Sequence, residues 1–216
     1  RHHADNLAFT SRLSTLDREQ RVTRGYRVQD SQHFVAHFQG VQPAAEAERV
    51  LQILEHAYGD VGYWLGAYPD RPVHVHFLVD ADFSALTGLP RDVRATYHRK
   101  DRKIRVRLNG SLEDPGLKST LYHEYTHALV DAITHGYTVP TWLHEGLAIH
   151  AAQQLDRWQP QLSALRAAKR PLPSFTKSPY MIGMAAVDVL VRQHGASAVL
   201  HLLRQVGAGQ PFPSAF

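Results

Sequence analysis

The sequence predicts an α+β protein in which a small, twisted, mainly antiparallel sheet packs on a long helix and on a second helix that carries a His-Glu-x-x-His motif. A C-terminal helical lobe is expected to close the other side. Short segments of alternating apolar and polar residues predict the strands, and longer segments with apolar residues at helical spacing predict the helices. The chain has 216 residues, 44% hydrophobic and 20% charged, which suffices for one compact core with a cleft.

The first part of the chain is expected to hold a lead-in, a strand and a long helix. Residues 1–32 are polar with a weak helical pattern, and we interpret them as a lead-in segment that ends an upstream helical region. Alternation in residues 33–39 predicts a strand. Pro43 then opens a helix over residues 44–65, whose apolar positions recur at helical spacing until Gly66 ends it.

Further strands are predicted in the middle of the chain. Residues 73–79 alternate, so His74 and His76 share one face of a strand, which we interpret as exposed. Residues 94–108 contain two extended pieces around a basic turn at residues 99–102 and predict a hairpin.

The second strand of this hairpin separates apolar from cationic side chains. Its apolar residues are Ile104, Val106 and Leu108, and its cationic residues are Lys103, Arg105 and Arg107. The alternation predicts one buried face and one solvated, cationic face. Three interpretations stay open: the basic hairpin 99–107 binds nucleic-acid phosphates, an edge strand pairs with an extended peptide, or the charges discourage aggregation.

The His-Glu-x-x-His motif lies within residues 121–131, whose apolar positions recur at helical spacing. On a helix His123 and His127 lie one turn apart, so both imidazoles can reach one tetrahedral zinc ion. Glu124 is rotated by about 100° from His123, which places it where a base takes a proton from a metal-bound water. Because the chain contains 15 His, the motif alone is insufficient and a third ligand is required.

Glu145 supplies the third ligand in this interpretation. It lies 18 positions after His127, in a second helical segment opened by a proline. The first helix is expected to start at Asp114 and Pro115 and to stop at Gly136, after which an antiparallel second helix returns Glu145 over the first. Three protein ligands are typical of catalytic zinc sites, and the absence of Cys from the sequence excludes thiolate ligands.

Two neighbours of the predicted ligands have their own interpretations. Asp131, one turn after His127, is either a partner that orients an imidazole or a solvated helix residue. His144 is adjacent to Glu145 and therefore points elsewhere on the helix, so we do not expect it to be a ligand.

The two motifs together resemble those of the gluzincin metallopeptidases, and more narrowly those of bacterial peptidase MA-like domains, which often follow helical repeats. They are His-Glu-Tyr-Thr-His at 123–127 and Pro-Thr-Trp-Leu-His-Glu-Gly-Leu-Ala at 140–148. The resemblance extends from about residue 34 to the end of the chain. It implies a zincin-like fold with an upper α/β subdomain over 33–136 and a helical lower subdomain over 137–216, and it favours a periplasmic or secreted location.

The resemblance also implies a donor that stabilises the oxyanion, contributed from the region after the third ligand. Tyr180 lies 35 residues after Glu145, near the start of a helix predicted over residues 180–194, and is the candidate. A half-buried tyrosine with a structural role is the alternative. His194 and His201 are the substitute donors.

The residues and the resemblance together predict a zinc-dependent peptidase with one zinc ion per chain, in which Glu124 passes a proton from water to the leaving amine. No acidic residue is identified that would hold a free amino terminus, so an endopeptidase is favoured. The alternatives are a zinc-containing binding or scaffold module with little turnover, and nucleic-acid binding through the basic hairpin.

A peptide or protein substrate is the expected partner. The net charge of +4 is modest and aromatic residues are sparse on the basic hairpin, so no nucleic-acid partner is expected. No apolar run approaches the roughly 20 residues of a membrane span. The sequence begins at Arg1, which we interpret as a processed or truncated piece of a longer protein, and it leaves the oligomeric state open.

Overall fold

The computed structural model describes residue 22 and residues 24–39, 43–108, 112–169, 171 and 173–216. The strands are β1 Arg27–Asp30, β2 Phe34–Phe38, β3 Val73–Val79, β4 Ala95–His98 and β5 Lys103–Leu108. The helices are α1 Ala44–Leu65, α2 Asp80–Thr87, α3 Leu117–Ile133, α4 Thr141–Ala151, a 3₁₀ turn Leu155–Arg157, α5 Gln159–Ala167, α6 Pro179–Gly207 and α7 Phe212–Ala215. The α+β class and the small sheet are therefore confirmed.

The sheet is mixed, so the prediction of a mainly antiparallel sheet is wrong. Its five described strands lie in the order β1-β2-β3-β5-β4. The two inner ladders, β2 with β3 and β3 with β5, are parallel, and the two outer ladders are antiparallel. Parallel neighbours require a crossover connection, and α1 and α2 lie in the two crossovers. The sequence predicted the hairpin of β4 and β5, but it did not indicate that β5 pairs with β3.

The position of β5 also corrects the prediction of a solvated cationic face. Because β5 lies between β3 and β4, it is not an edge strand, and Arg105 and Arg107 are only 4% and 7% exposed. Arg105 forms an ion pair with Asp101. Two of the three cationic residues of β5 are therefore buried, whereas Arg99, Lys100 and Arg102 of the turn are exposed. The edge strand of the hairpin is β4.

Arg107 shows how a buried guanidinium is accommodated. It pairs with Asp80, and its nitrogens donate to the carbonyl oxygens of Pro90 and Val93, each at 2.9 Å. Its guanidinium carbon lies 4.3 Å from the centre of the Phe83 ring. These contacts fasten α2 and the loop before β4 to the sheet, because a buried charge is tolerated only when it is paired and hydrogen-bonded.

The prediction of an exposed face on β3 is correct for His74 and wrong for His76. His76 is 3% exposed, and its ring stacks on that of His37 from β2 with 4.2 Å between centroids. Burial lowers the pKa of His76 to about 2, and the nearby His37 acts in the same direction. A central strand is covered on both sides, which alternation alone does not reveal.

The main core lies between the sheet, α1 and α3. Its fully buried large side chains include Phe34, Phe38, Leu54, Phe77, Ile104, Leu121, Tyr125 and Leu129. The α1 helix has the bounds that the sequence predicts, and Gly66 ends it in the left-handed conformation with a φ of 66°. The α3 helix, which carries the motif, is thereby held between the sheet and the C-terminal helices.

The ends of α3 differ slightly from the prediction. The helix begins at Leu117, and Asp114 Oδ1 accepts the Gly116 N–H at 2.7 Å in the turn before it. Gly136, with a φ of 79°, donates its N–H to the Asp131 carbonyl oxygen at 3.0 Å. The prediction that Gly136 ends this helix is therefore confirmed, because its N–H bonds to one of the last helical carbonyl oxygens.

The predicted lead-in contains part of the sheet. Strand β1 falls within residues 1–32 and pairs antiparallel with β2. The rest of the lead-in before residue 24, apart from residue 22, lies outside the described residues. Among the described helices, none combines the length and the apolar character needed to cross a lipid bilayer.

Candidate metal centre

Two imidazoles meet on one face of α3. His123 and His127 are one turn apart, and their Nε2 atoms are 3.1 Å from each other. Their rings are perpendicular, with centroids 4.7 Å apart. The helical spacing therefore directs both Nε2 atoms to one point, as the sequence predicts.

The carboxylate of Glu145 arrives from α4. Its Oε2 atom lies 3.4 Å from His123 Nε2 and 3.6 Å from His127 Nε2. A tetrahedral zinc ion with bonds of about 2.0–2.1 Å separates its ligand atoms by roughly 3.4 Å, so the three distances fit one shared ion. In the described part of the chain, these residues form the one group of three or more such donors.

The polar atoms of this group are buried and incompletely bonded. Glu145 Oε2 has no well-directed hydrogen bond to any described residue. Burial raises the pKa of Glu145, but the two adjacent imidazoles outweigh it and hold the pKa well below the usual range. An ionised carboxylate beside two imidazole nitrogens is the donor set that a borderline cation such as zinc prefers.

Glu124 is buried beside the three donors. It is 6% exposed, and burial raises the pKa of its carboxyl group. The backbone N–H of Tyr97, in strand β4, lies beside its carboxylate and opposes this rise of the pKa. Its Oε2 atom is buried and has no hydrogen-bond partner within the described structure.

Asp131 has a role that neither sequence interpretation anticipated. It is 4% exposed, so it is not a solvated residue. Its two oxygens accept bonds from the Tyr97 hydroxyl and from Arg99 Nε, both at 2.9 Å. Arg99 also donates to the Gly136 carbonyl oxygen. Asp131 therefore fastens strand β4 and its turn to α3, beside the metal donors.

His144 is a neighbour of the site that sequence reasoning undervalued. Its ring stacks on that of His127, with centroids 4.3 Å apart and planes 8° from parallel. Burial, reinforced by His127, lowers the pKa of His144 to about 3. His144 is outside the donor group, as expected, but it restricts the orientation of the His127 ring. Two helices bring these rings together, so no local spacing could have indicated the stack.

Close packing of two helices fixes the position of Glu145. A Cβ atom on Gly146 would overlap the backbone of Gly183, and a Cβ atom on Gly183 would overlap the carbonyl oxygen of Trp142. The backbones of α4 and α6 therefore touch one residue after the Glu145 ligand. Only glycine permits this approach.

The structure places Tyr180 near the start of α6, on the C-terminal side of the site. Its side chain is 46% exposed, and its ring stacks with Trp158 at 6.3 Å between centroids. His194 is exposed, and His201, also exposed, approaches Gln205 at 3.0 Å. The oxyanion role of Tyr180 stays a prediction, as do the substitute roles of His194 and His201.

Comparison with known proteins adds no assignment. No protein-family model matches the chain, and no curated protein matches its sequence.

Proposed function

We propose that this chain is a zinc-dependent peptidase of the gluzincin type with a zincin-like fold. In this proposal His123, His127 and Glu145 bind the ion and Glu124 is the general base. The main support for this proposal is that three donor atoms lie 3.1–3.6 Å from one another, beside the buried carboxylate of Glu124. Three protein donors leave a position for water or substrate, whereas structural zinc sites use four.

A bound zinc ion would polarise the scissile carbonyl and lower the pKa of a water molecule. Glu124 accepts the proton of the attacking water and passes it to the leaving amine. The burial of Glu124 favours both steps, because it raises the pKa of the carboxyl group toward neutral pH. A group with a pKa near the working pH can both accept and release a proton. The adjacent Tyr97 N–H opposes this rise of the pKa and so favours the ionised form that accepts the proton.

In the described sheet β4 is an edge strand, which favours a peptide as the substrate. The Arg94 carbonyl oxygen accepts the Arg107 N–H at 2.8 Å, so the alternation of an antiparallel ladder turns the backbone groups of Ala95 and Tyr97 away from β5. An extended peptide can add to this edge by main-chain hydrogen bonds. Because the Tyr97 N–H reaches Glu124, such a peptide would pass close to the base.

Replacing the base tests the proposal. Glu124→Gln keeps the shape of the side chain but removes its ability to take a proton, so we expect hydrolysis of a mixed peptide library to fall about 100-fold or more. Zinc content, measured by atomic absorption, should be unchanged. Glu48→Gln is the control, because Glu48 is an exposed glutamate on α1.

Activity of Glu124→Gln equal to that of the parent would refute the role of the base. Activity of the parent should disappear with a chelator and return with added zinc. If the zinc-loaded parent binds peptides but cleaves none of them, the chain is a zinc-containing binding module, which is the alternative interpretation.

A further inference from the structure

A cavity lies beside the second half of α3. Its volume is about 690 Å³, and it is bounded by residues 67–74, by the turn after β4, by the second half of α3 and by Arg204 of α6. None of the four residues proposed for catalysis lines it. The volume falls within the range of about 300–1,000 Å³ that is typical of small-molecule sites.

Three arginines from separate elements line this cavity. Arg71 precedes β3, Arg102 lies in the β4–β5 turn and Arg204 lies in α6. All three are exposed, and within the described ranges no hydrogen bond or ion pair engages their guanidinium groups. Three arginines around one concave surface create a field that attracts anions.

The carboxylates of the lining reduce this field only in part. Asp131 is bonded to Tyr97 and Arg99, and Asp101 is paired with Arg105. Because Arg99 and Arg105 pair with these two carboxylates, their negative charges are largely neutralised. Asp70 is the remaining carboxylate of the described lining, against three arginines.

The backbone at Arg102 is a second, independent observation. Its φ is 56°, a left-handed conformation that glycine and asparagine adopt more readily than arginine. A turn selected for stability alone would favour glycine here. The chain keeps an arginine in this left-handed position, where it lines the cavity together with two other arginines.

We propose that this cavity binds an anionic group, a carboxylate or a phosphate monoester, carried on a small apolar body. The guanidinium groups would hold the anion in bidentate hydrogen bonds. The apolar body would rest on Ala128, Ala132 and Ile133 of α3, which form part of the lining. This site does not depend on the proposed peptidase activity.

Binding of three matched probes tests the site. The zinc-loaded chain is titrated with phenyl phosphate, phenylacetate and uncharged 2-phenylethanol, and amide shifts around residues 102 and 132 are followed by NMR. We expect saturable binding of at least one anion and much weaker binding of the alcohol. Tighter binding of phenyl phosphate identifies a phosphate site, and tighter binding of phenylacetate identifies a carboxylate site.

Arginine variants separate this cavity from the metal centre. Arg71→Gln and Arg204→Gln should each weaken anion binding about tenfold, because each removes charge-assisted hydrogen bonds. Arg192→Gln, in the part of α6 before the break at Gly195 and paired with Asp188, is the control and should bind like the parent. Equal anion binding by all three variants would place the anion elsewhere, including at the zinc, and would overturn the proposal.

Arg102→Gly distinguishes the loss of an anion-binding side chain from a loss of folding, since either could weaken anion binding. Because glycine suits the positive φ, the melting temperature should stay equal or rise while anion affinity falls. Unchanged affinity in this variant, no saturable binding of either anion, or equal binding of 2-phenylethanol would each overturn the proposal.

Discussion

At the scale of single residues, Glu55 connects α1 to the loop between β1 and β2. Its carboxylate accepts bonds from the Ser31 hydroxyl at 2.5 Å, the His33 backbone N–H at 2.8 Å and the His33 ring at 2.6 Å. Burial raises the pKa of Glu55, but the bonds from Ser31 and His33 outweigh it and hold the pKa below its usual value. The ionised carboxylate therefore stabilises the folded state.

The pH dependence of stability tests this contact. Because the folded-state pKa of Glu55 is lower than the unfolded value of about 4.3, its contribution is complete above that value and is lost as the pH falls through the folded-state pKa. Glu55→Gln should therefore be less stable than the parent at pH 7, and the difference should shrink below about pH 4. Urea unfolding at several pH values measures both, and a difference that is constant with pH would contradict the prediction.

Single residues also show what the sequence could predict. His123 and His127 were identified because helical geometry converts their spacing into proximity. Glu145 was identified from the second motif, at 140–148, which opens with a proline and begins another helix. Arg107 and Asp131 were misinterpreted because their partners lie far along the chain, and a charged residue is buried only where such a partner exists. The stack of His144 on His127 was missed for the same reason.

At the scale of elements, the contact between α4 and α6 determines where the third ligand lies. Glycines at 146 and 183 allow the two backbones to touch, and α4 cannot move toward or away from α6 without losing this fit. The position of Glu145 relative to the imidazoles of α3 thus depends on the C-terminal helix.

Gly183→Ala tests this dependence. The added methyl would overlap the Trp142 carbonyl oxygen, so the helices must separate, at a cost of about 1–3 kcal/mol in the free energy of unfolding. We expect the displaced Glu145 to weaken zinc affinity about tenfold in a competition titration. Gly59→Ala, on an exposed face of α1 with open space around it, is the control and should bind zinc normally. Unchanged zinc affinity in Gly183→Ala would show that the contact does not position the ligand.

The elements themselves were predicted more reliably than their arrangement. Hydrophobic periodicity located α1, β3, the hairpin and α4, because periodicity is a local property. The order of strands depends on contacts between distant segments, and for this reason the parallel pairing of β3 with β5 and the edge position of β4 could not be derived.

At the scale of the whole molecule, the metal donors come from two layers. The imidazoles belong to α3, which packs on the sheet, and Glu145 belongs to α4, which packs on α6. An ion held by both helices would join these layers, and it would bind the folded state alone because the donors are far apart in the unfolded chain.

Zinc should therefore raise the melting temperature. At a free concentration 100 times the Kd, the gain is about 2.7 kcal/mol, or roughly 5–10 °C for a chain of this length. Differential scanning calorimetry with and without zinc measures the shift. His123→Ala should lose most of it, and an equal shift in that variant would mean that zinc stabilises the protein from another site.

Tyr97 sits where three parts of the molecule meet. Its main-chain N–H lies beside Glu124, its hydroxyl donates to Asp131, and its strand is an edge strand of the described sheet. Its amide resonance is consequently a natural spectroscopic reporter, which should respond both when the neighbouring carboxylate gains a proton and when a guest chain docks alongside. One isotopically labelled tyrosine would make both events visible in a single spectrum.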